Sequence, residues 1–235
     1  MARHPRPVEK FDQPVTPAET GARSDRPSVP GFWSWRKVRA YVSLTHPVPI
    51  AIVMIATAAF AAIFAEGLPP FRLAATLLLA MLGGQLAIGA LNELVDVELD
   101  AASKPWKPIP SGAVSRFGAR MIAACGLGMA ALFGASLGVA ALLLLFVGTG
   151  LGLAYDLWLK RTPWSWLPYV LALPLLPIWV RTVVIGFDAR LLLLYPLGLG
   201  AGAAIHLAQA LPDCESDRAA GLRNPVSRLG ERRSL

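Results

Sequence analysis

The sequence predicts an all-α, polytopic bundle that crosses a membrane about six times, because its apolar blocks reach the ~20 residues that span a bilayer. Of its 235 residues, 55% are hydrophobic and 16% are charged, whereas a soluble domain carries about 25% charged residues. No charged side chain except Arg181 lies within residues 48–65, 73–91, 121–154, 166–187 and 191–211. Blocks of this length form helices in hydrocarbon, where the backbone must satisfy its own hydrogen bonds.

Two different segments precede the first span. Residues 1–31 are rich in proline and charge, so we expect a disordered cytoplasmic tail. Residues 32–46 combine tryptophan and tyrosine with arginine and lysine, which is typical of an amphipathic helix on the membrane surface. The transmembrane domain is expected at 32–221, followed by a basic cytoplasmic tail at 222–235.

The spans themselves are expected at 47–66, 71–95, 114–136, 138–155, 165–186 and 190–212. Only small residues, from Gly134 to Gly138, separate the third span from the fourth. Two pairs of glycines spaced by four, Gly148 with Gly152 and Gly198 with Gly202, favour close helix packing.

Basic side chains fall on one side of these spans. Apart from Arg72, Arg181 and Arg190, every lysine and arginine lies near the N-terminus, after the second or fourth span, or in the C-terminal tail. Membrane proteins keep such residues on the cytoplasmic side, so both termini are expected in the cytoplasm. The positive charge therefore needs no nucleic-acid partner.

An acidic cluster follows the second span. Asn92, Asp96 and Asp100 recur every four residues, so they are expected to line one face of a helix. Glu93 can share that face, whereas Glu98 points elsewhere. Like charges at this spacing repel and carboxylates near a membrane core are costly, so a cation is expected to compensate them.

A second acidic pair, Asp213 and Asp217, follows the sixth span with the same spacing. One such cluster is equally well explained as a solvated helix end, but two on the same membrane side favour a shared site. His206, alone in an apolar span, is expected to be a packed, hydrogen-bonded side chain rather than a ligand.

The two clusters together predict a Mg²⁺-dependent, diphosphate-handling site at the cytoplasmic face. Mg²⁺ takes one or two carboxylates together with waters and substrate phosphates. Basic side chains expected on the same side can contact phosphate oxygens, namely Lys104, Lys107, Lys160 and Arg218.

These residues carry a resemblance to a known family. The stretch 92–112 resembles the first aspartate-rich motif of the UbiA superfamily of membrane prenyltransferases, N-D-x-x-D-x-x-x-D followed by a K-P-x-R-P-I-P-S-G-like loop. The stretch 213–221 resembles the second motif, D-x-x-x-D with a following glycine. Residues 155–162 are similar to the Tyr…Leu-Lys loop between them, and the resemblance covers roughly residues 40–221.

The resemblance implies a helical bundle with a central cavity that transfers a prenyl group from a polyprenyl diphosphate to a hydrophobic or aromatic acceptor. It favours an enzyme like 4-hydroxybenzoate polyprenyltransferase, acting in quinone synthesis in a prokaryotic inner membrane. By motif, the catalytic residues would be Asp96, Asp100, Asp213 and Asp217, which together with Asn92 would hold Mg²⁺ and the diphosphate. Substrate phosphates would be bound by Lys104, Lys107, Tyr155 and Lys160, to which we add Arg218 for its charge.

Three features depart from the family pattern. Glu93 stands where aspartate is usual, and Lys107 replaces an arginine, which removes bidentate phosphate recognition. Family members continue with further spanning helices after the second motif, whereas this chain ends at Leu235. The resemblance therefore predicts a bundle that lacks the last helices of the family.

Two other classes of protein remain open at this point. An ion-coupled membrane transporter would place its acidic residues near the bilayer midplane. A catalytically inactive, truncated membrane scaffold would keep the motifs without Mg²⁺-dependent binding of a prenyl diphosphate.

Overall fold

The computed structural model describes residues 35–219, 221 and 225, without the side chains of Asp213, Ser216 and Asp217. The predicted tail at 1–31 lies outside the described residues, as does nearly all of the predicted tail at 222–235. The regular structure of the described part is entirely helical. The α-helices are α1 (Trp35–Leu44), α2 (Pro47–Phe64), α3 (Phe71–Val95), α4 (Val97–Ser103), α5 (Arg116–Ser136), α6 (Val139–Leu157), α7 (Leu167–Val184), α8 (Leu194–Ala210) and α9 (Cys214–Ala219).

The six predicted spans are confirmed as helices. Helices α2, α3, α5, α6 and α7, and α8 with the 3-10 turn Ala189–Leu193 before it, are long and apolar enough to cross a bilayer. Their ends fall within a few residues of the predicted ones, because apolar length alone defines such a helix. The separation of the third span from the fourth is also confirmed, since α5 ends at Ser136 and α6 begins at Val139.

Helix α3 lies at the centre of the bundle and packs against α2, α5, α6 and α7. Its closest neighbour is α5. Gly126 of α5 has no side chain, so the two helices can approach each other closely. A Cβ atom added to Gly126 would lie 2.7 Å from the carbonyl oxygen of Gly83 and 2.9 Å from the amide nitrogen of Ala87. The two backbones are therefore in direct contact, as small residues allow in membrane helices.

The predicted close packing at the paired glycines is also found. A Cβ on Gly202 would lie 2.8 Å from the Cα of Val170, and one on Gly198 would lie 2.6 Å from the ring of Pro174. These contacts join α8 to α7. On α6, Gly152 faces Ile88 of α3 directly, whereas Gly148 faces Leu175 at an ordinary contact distance.

The acidic segment after α3 is divided between two helices, whereas one helix was expected. Helix α3 ends at Val95, and α4 begins at Val97 after a break at Asp96, whose φ and ψ are −90° and 1°. Asp96 pairs with Lys160, and Asp100 pairs with Lys107. Across this break the backbone amide of Asp96 still donates to the carbonyl of Asn92 at 3.1 Å, and that of Asp100 to the carbonyl of Asp96 at 2.8 Å.

At the opposite end of the bundle, Asp188 fastens the connection between α7 and α8. Its Oδ2 lies 2.7 Å from Arg190 Nη2 and 3.2 Å from Arg181 Nη2. Hydrogen bonds from the Arg190 side chain and backbone lower the pKa of Asp188 to about 2. Asp188 thus stays ionised well into the acidic range, far from the acidic cluster at the end of α3.

The close contact between α3 and α5 is expected to contribute to the stability of the fold. Replacing Gly126 with alanine should lower the free energy of unfolding by about 1 to 3 kcal/mol, because the added methyl group meets the backbone of α3. Thermal unfolding in detergent measures this change. The matched control is Gly128→Ala in the same helix, where the added atom has open space, so stability should stay equal or rise by up to about 1 kcal/mol. Equal effects of the two variants would contradict the prediction.

Candidate active site

The ends of α3 and α6 meet at one end of the bundle through polar side chains. Asn92 Nδ2 donates a hydrogen bond to Asp156 Oδ1 at 2.6 Å. Lys160 Nζ, in the turn after α6, lies 2.8 Å from Asp96 Oδ2 and 3.9 Å from Asp156 Oδ1. Arg161 Nη2 adds a longer contact of 3.6 Å to Asp96 Oδ1. Charged groups of two helices thus form one connected network.

A second cation, Lys107, comes from the loop after α4. Its Nζ lies 2.7 Å from Glu93 Oε1 and 2.7 Å from Asp100 Oδ2. Glu93 is only 1% exposed, and His46 Nε2 lies 3.1 Å from the same Oε1. Lys107 therefore compensates two carboxylates that have little access to water.

Apolar packing holds the loop that carries Lys107. Ile109 and Val114 are buried in a cluster with Leu44 of α1 and Ala90 of α3. The backbone amide of Val114 donates to the carbonyl of Pro108 at 2.9 Å, which closes the loop on itself. The loop is thus fastened on both sides of Lys107 to elements that surround the acidic cluster.

The pKa of Lys107 reflects this environment. Burial by itself disfavours the charged ammonium and lowers its pKa, but the hydrogen bonds to Asp100 and Glu93 outweigh burial. The pKa of Lys107 consequently lies above its ordinary value. The ammonium remains charged over the whole range in which the protein would work.

The structure brings together five of the predicted site residues: Asn92, Asp96, Asp100, Lys107 and Lys160. Lys104 is half-buried at the C-terminal end of α4, and Arg218 is exposed on α9. The carboxylates of Asp213 and Asp217 lie outside the described side chains. Their backbones belong to the 3-10 turn Leu211–Asp213 and to α9.

An aromatic group links the end of α8 to the same end of the bundle. The rings of Tyr155 and Tyr169 are 5.3 Å apart edge to face, and Tyr169 lies 5.1 Å from the ring of His206. Tyr169 also donates a hydrogen bond to Gln209 at 2.8 Å. His206 is buried and lies 3.0 Å from Ser165 Oγ, so it is a packed, hydrogen-bonded side chain, as expected from the sequence.

Asp156 is a site residue that the sequence analysis missed. It is 1% exposed and contacts both Asn92 and Lys160. One signal was available, because Asp156 directly follows the predicted fourth span and is the only charged residue of α6, and ionisable residues in membrane-spanning helices are usually functional. Its partner Asn92 is 64 positions away in the sequence, so no local pattern joins the two.

An apolar cavity of about 330 Å³ lies between α2, α3, α6, α7 and α8. Tyr169 and Gln209 line it at the end nearest the charged residues, and Gln85, Thr149 and Trp179 are among its other walls. Trp179 is already satisfied, since its Nε1 donates to the carbonyl of Ala141 at 2.9 Å. The described lining contains no charged side chain, so the cavity suits hydrocarbon.

The acidic cluster provides the oxygen ligands that Mg²⁺ prefers. Asp96, Asp100 and the amide oxygen of Asn92 are hard donors. One buried oxygen of each of two carboxylates, Glu93 Oε2 and Asp156 Oδ2, has no hydrogen-bond partner among the described atoms. The local negative charge is therefore not fully compensated. No group of three described His, Cys, Asp or Glu side chains forms a complete metal site. The donor set therefore fits a cation that shares its coordination with a bound phosphate.

Because Lys107 forms two ion pairs, we expect that replacing it will greatly reduce the stability of the fold. Lys107→Met should lower the free energy of unfolding by about 3 to 5 kcal/mol, because two poorly solvated carboxylates lose their cation. Denaturant unfolding in detergent measures this, and adding Glu93→Gln should recover part of the loss. Arg116→Met is the control, since its pair with Glu98 is exposed and should contribute less than about 1 kcal/mol. A loss no larger than that of the control would rule out this role.

The sequence matches the model of the UbiA prenyltransferase family over residues 52–235. A digeranylgeranylglyceryl phosphate synthase of Methanopyrus kandleri is 37% identical over 100 residues, which are 40% of this chain and 35% of the relative. A protoheme IX farnesyltransferase of Chloroflexus aurantiacus is 30% identical over 151 residues, which are 56% of this chain and 23% of the relative. The chain spans less than two thirds of the length of the curated relatives it matches.

Solved structures share the fold. A digeranylgeranylglyceryl phosphate synthase superposes with a TM-score of 0.69 at 16% identity, covering 83% of this chain and 70% of its own. A UbiA homologue from Archaeoglobus fulgidus, solved with GPP and Mg²⁺, gives 0.66 at 20% identity, covering 83% and 71%. The family match, the six apolar helices and this fold agree: the chain is an integral membrane protein and belongs to the UbiA prenyltransferase family.

Proposed function

We propose that the chain catalyses Mg²⁺-dependent transfer of a prenyl group from a polyprenyl diphosphate to a hydrophobic or aromatic acceptor at the cytoplasmic membrane face. The observation that carries this proposal is the position of the charged network beside an uncharged cavity. Carboxylates and lysines converge at the ends of α3 and α6, and the cavity begins next to them at Tyr169 and Gln209. A prenyl diphosphate has the same division into a charged head and an apolar chain.

The proposed diphosphate site comprises the residues of the two acidic motifs and the nearby cations. Mg²⁺ would be held by Asn92, Asp96, Asp100, Asp213 and Asp217. Lys107 and Lys160 would exchange their present carboxylate partners for phosphate oxygens, with Lys104, Tyr155 and Arg218 as further phosphate contacts. Support comes from the family match and from homologues solved with GPP or DMAPP and Mg²⁺.

The proposed chemistry begins with cleavage of the allylic C–O bond, whose electron pair leaves with the pyrophosphate. Lys107 and Lys160 stabilise the negative charge that develops on the phosphate oxygens. When bound, Mg²⁺ supplies further positive charge to the leaving group. The apolar cavity walls exclude water from the allylic cation, so that the acceptor attacks it and then loses a proton.

We propose a small hydroxylated aromatic acid as the acceptor, as in quinone synthesis in a prokaryotic inner membrane. The cavity lining is uncharged where it is described, so the acid group would remain at the charged end while the prenyl chain fills the cavity. Relatives are named for protoheme IX and for digeranylgeranylglyceryl phosphate. An acceptor screen should therefore include those classes beside aromatic acids.

The placement of the acidic residues favours this proposal over an ion-coupled transporter. Within the described spans the only carboxylates are Glu93, near the end of α3, and Asp156, next to the last residue of α6. A transporter would require such groups near the bilayer midplane. Both carboxylates instead lie beside the lysines that would hold a diphosphate.

Binding of geranylgeranyl diphosphate to the purified chain in detergent tests the proposal. Binding should require Mg²⁺ and disappear with EDTA. An Asp96→Ala, Asp213→Ala double variant should weaken binding of the diphosphate. The loss should exceed the factor of about 10 to 100 that is typical when only an outer-sphere partner of a metal ligand is removed. Asp188→Ala, at the opposite end of the bundle, should bind as the wild type does. A folded wild-type protein that binds no prenyl diphosphate would instead indicate an inactive membrane scaffold.

A further inference from the structure

We propose that Asp156 is a positioning residue that fixes the side-chain amide of Asn92, so that the oxygen of this amide is directed to the cation of the diphosphate site. The inference rests on the proposed function and adds a residue to it. Asp156 comes from α6, whereas Asn92 belongs to the acidic segment of α3. Asp156 would therefore act from a different helix and through another residue.

The contact between the two side chains determines how the amide is oriented. Asp156 Oδ1 accepts a hydrogen bond from Asn92 Nδ2 at 2.6 Å. Because Oδ1 is the acceptor in this contact, a reversed amide would place the oxygen of Asn92 against the oxygen of Asp156. The side-chain nitrogen of Asn92 therefore faces Asp156, and its side-chain oxygen is available to a cation.

Lys160 also lies beside Asp156. Its Nζ lies 3.9 Å from Asp156 Oδ1, one helical turn further along the chain, and also pairs with Asp96. The other oxygen of Asp156, Oδ2, is buried without a hydrogen-bond partner among the described atoms.

The burial of Asp156 is difficult to explain by stability alone. A buried carboxylate with an unpaired oxygen is unfavourable unless other interactions compensate it, and an apolar residue would fill the space without that penalty. A partner that orients a metal-binding side chain explains why a carboxylate stands there, because outer-sphere partners fix ligand orientation and typically change metal affinity 10- to 100-fold.

The test measures the Mg²⁺ concentration at which binding of geranylgeranyl diphosphate is half-maximal. Asp156→Asn keeps the size of the side chain but lets the amide of Asn92 turn, so this concentration should rise about 10- to 100-fold. The exchange variant Asn92→Asp, Asp156→Asn always presents an oxygen at position 92 and restores a hydrogen-bonded pair. It should recover most of the lost affinity. Asp188→Asn is the matched control and should leave the Mg²⁺ requirement unchanged.

A double-mutant cycle keeps the test decisive even if the exchange variant does not fold. In an Asn92→Ala background, Asp156→Asn should cause no further change, because Asp156 acts through Asn92. An additional loss in that background would overturn the inference, and so would wild-type Mg²⁺ dependence in Asp156→Asn. Failure of a folded exchange variant to recover would do the same. Absence of Mg²⁺-dependent binding by the wild type would refute the proposed function and the inference with it.

Discussion

Carboxylates that have little access to water must be compensated by cations, and this constraint organises the charged end of the bundle. Lys107 joins Glu93 to Asp100, and Lys160 joins Asp96 to α6. Such pairs seldom add net stability, because both partners must give up their hydration. Their retention at one end of an otherwise apolar bundle is better explained by a ligand that uses the same charges.

The scaffold places these charges through one central helix. Helix α3 carries Met81 and Gln85 to the cavity wall and Asn92 and Glu93 to the charged network. Because α3 is held by contacts with α2, α5, α6 and α7, the cavity and the charged residues keep a constant separation. The backbone contact at Gly126 is therefore a condition of the site's geometry as well as of the fold.

The sequence predicts the spans well because the thickness of a bilayer sets their length, and no tertiary information is needed. It also groups the lysines with the acidic segment, since helix ends on one membrane side must lie near each other. It does not reveal the break between α3 and α4 at Asp96, because residues 92–103 contain no glycine or proline to mark it. Asp156 was missed because its contact with Asn92 depends on how two distant helices pack. The roles of Asp213 and Asp217 stay predictions.

The pairing of Lys107 and Lys160 with carboxylates also has a consequence for the order of ligand association. On the proposed function, a cation alone at Asp100 or Asp96 would remove one of the two carboxylate partners of Lys107 or Lys160. Repulsion between that cation and the nearby ammonium would oppose cation binding. A diphosphate that arrives with the cation gives each ammonium a new acceptor. The two ligands are therefore expected to bind with positive heterotropic cooperativity, each raising the affinity for the other by the same factor.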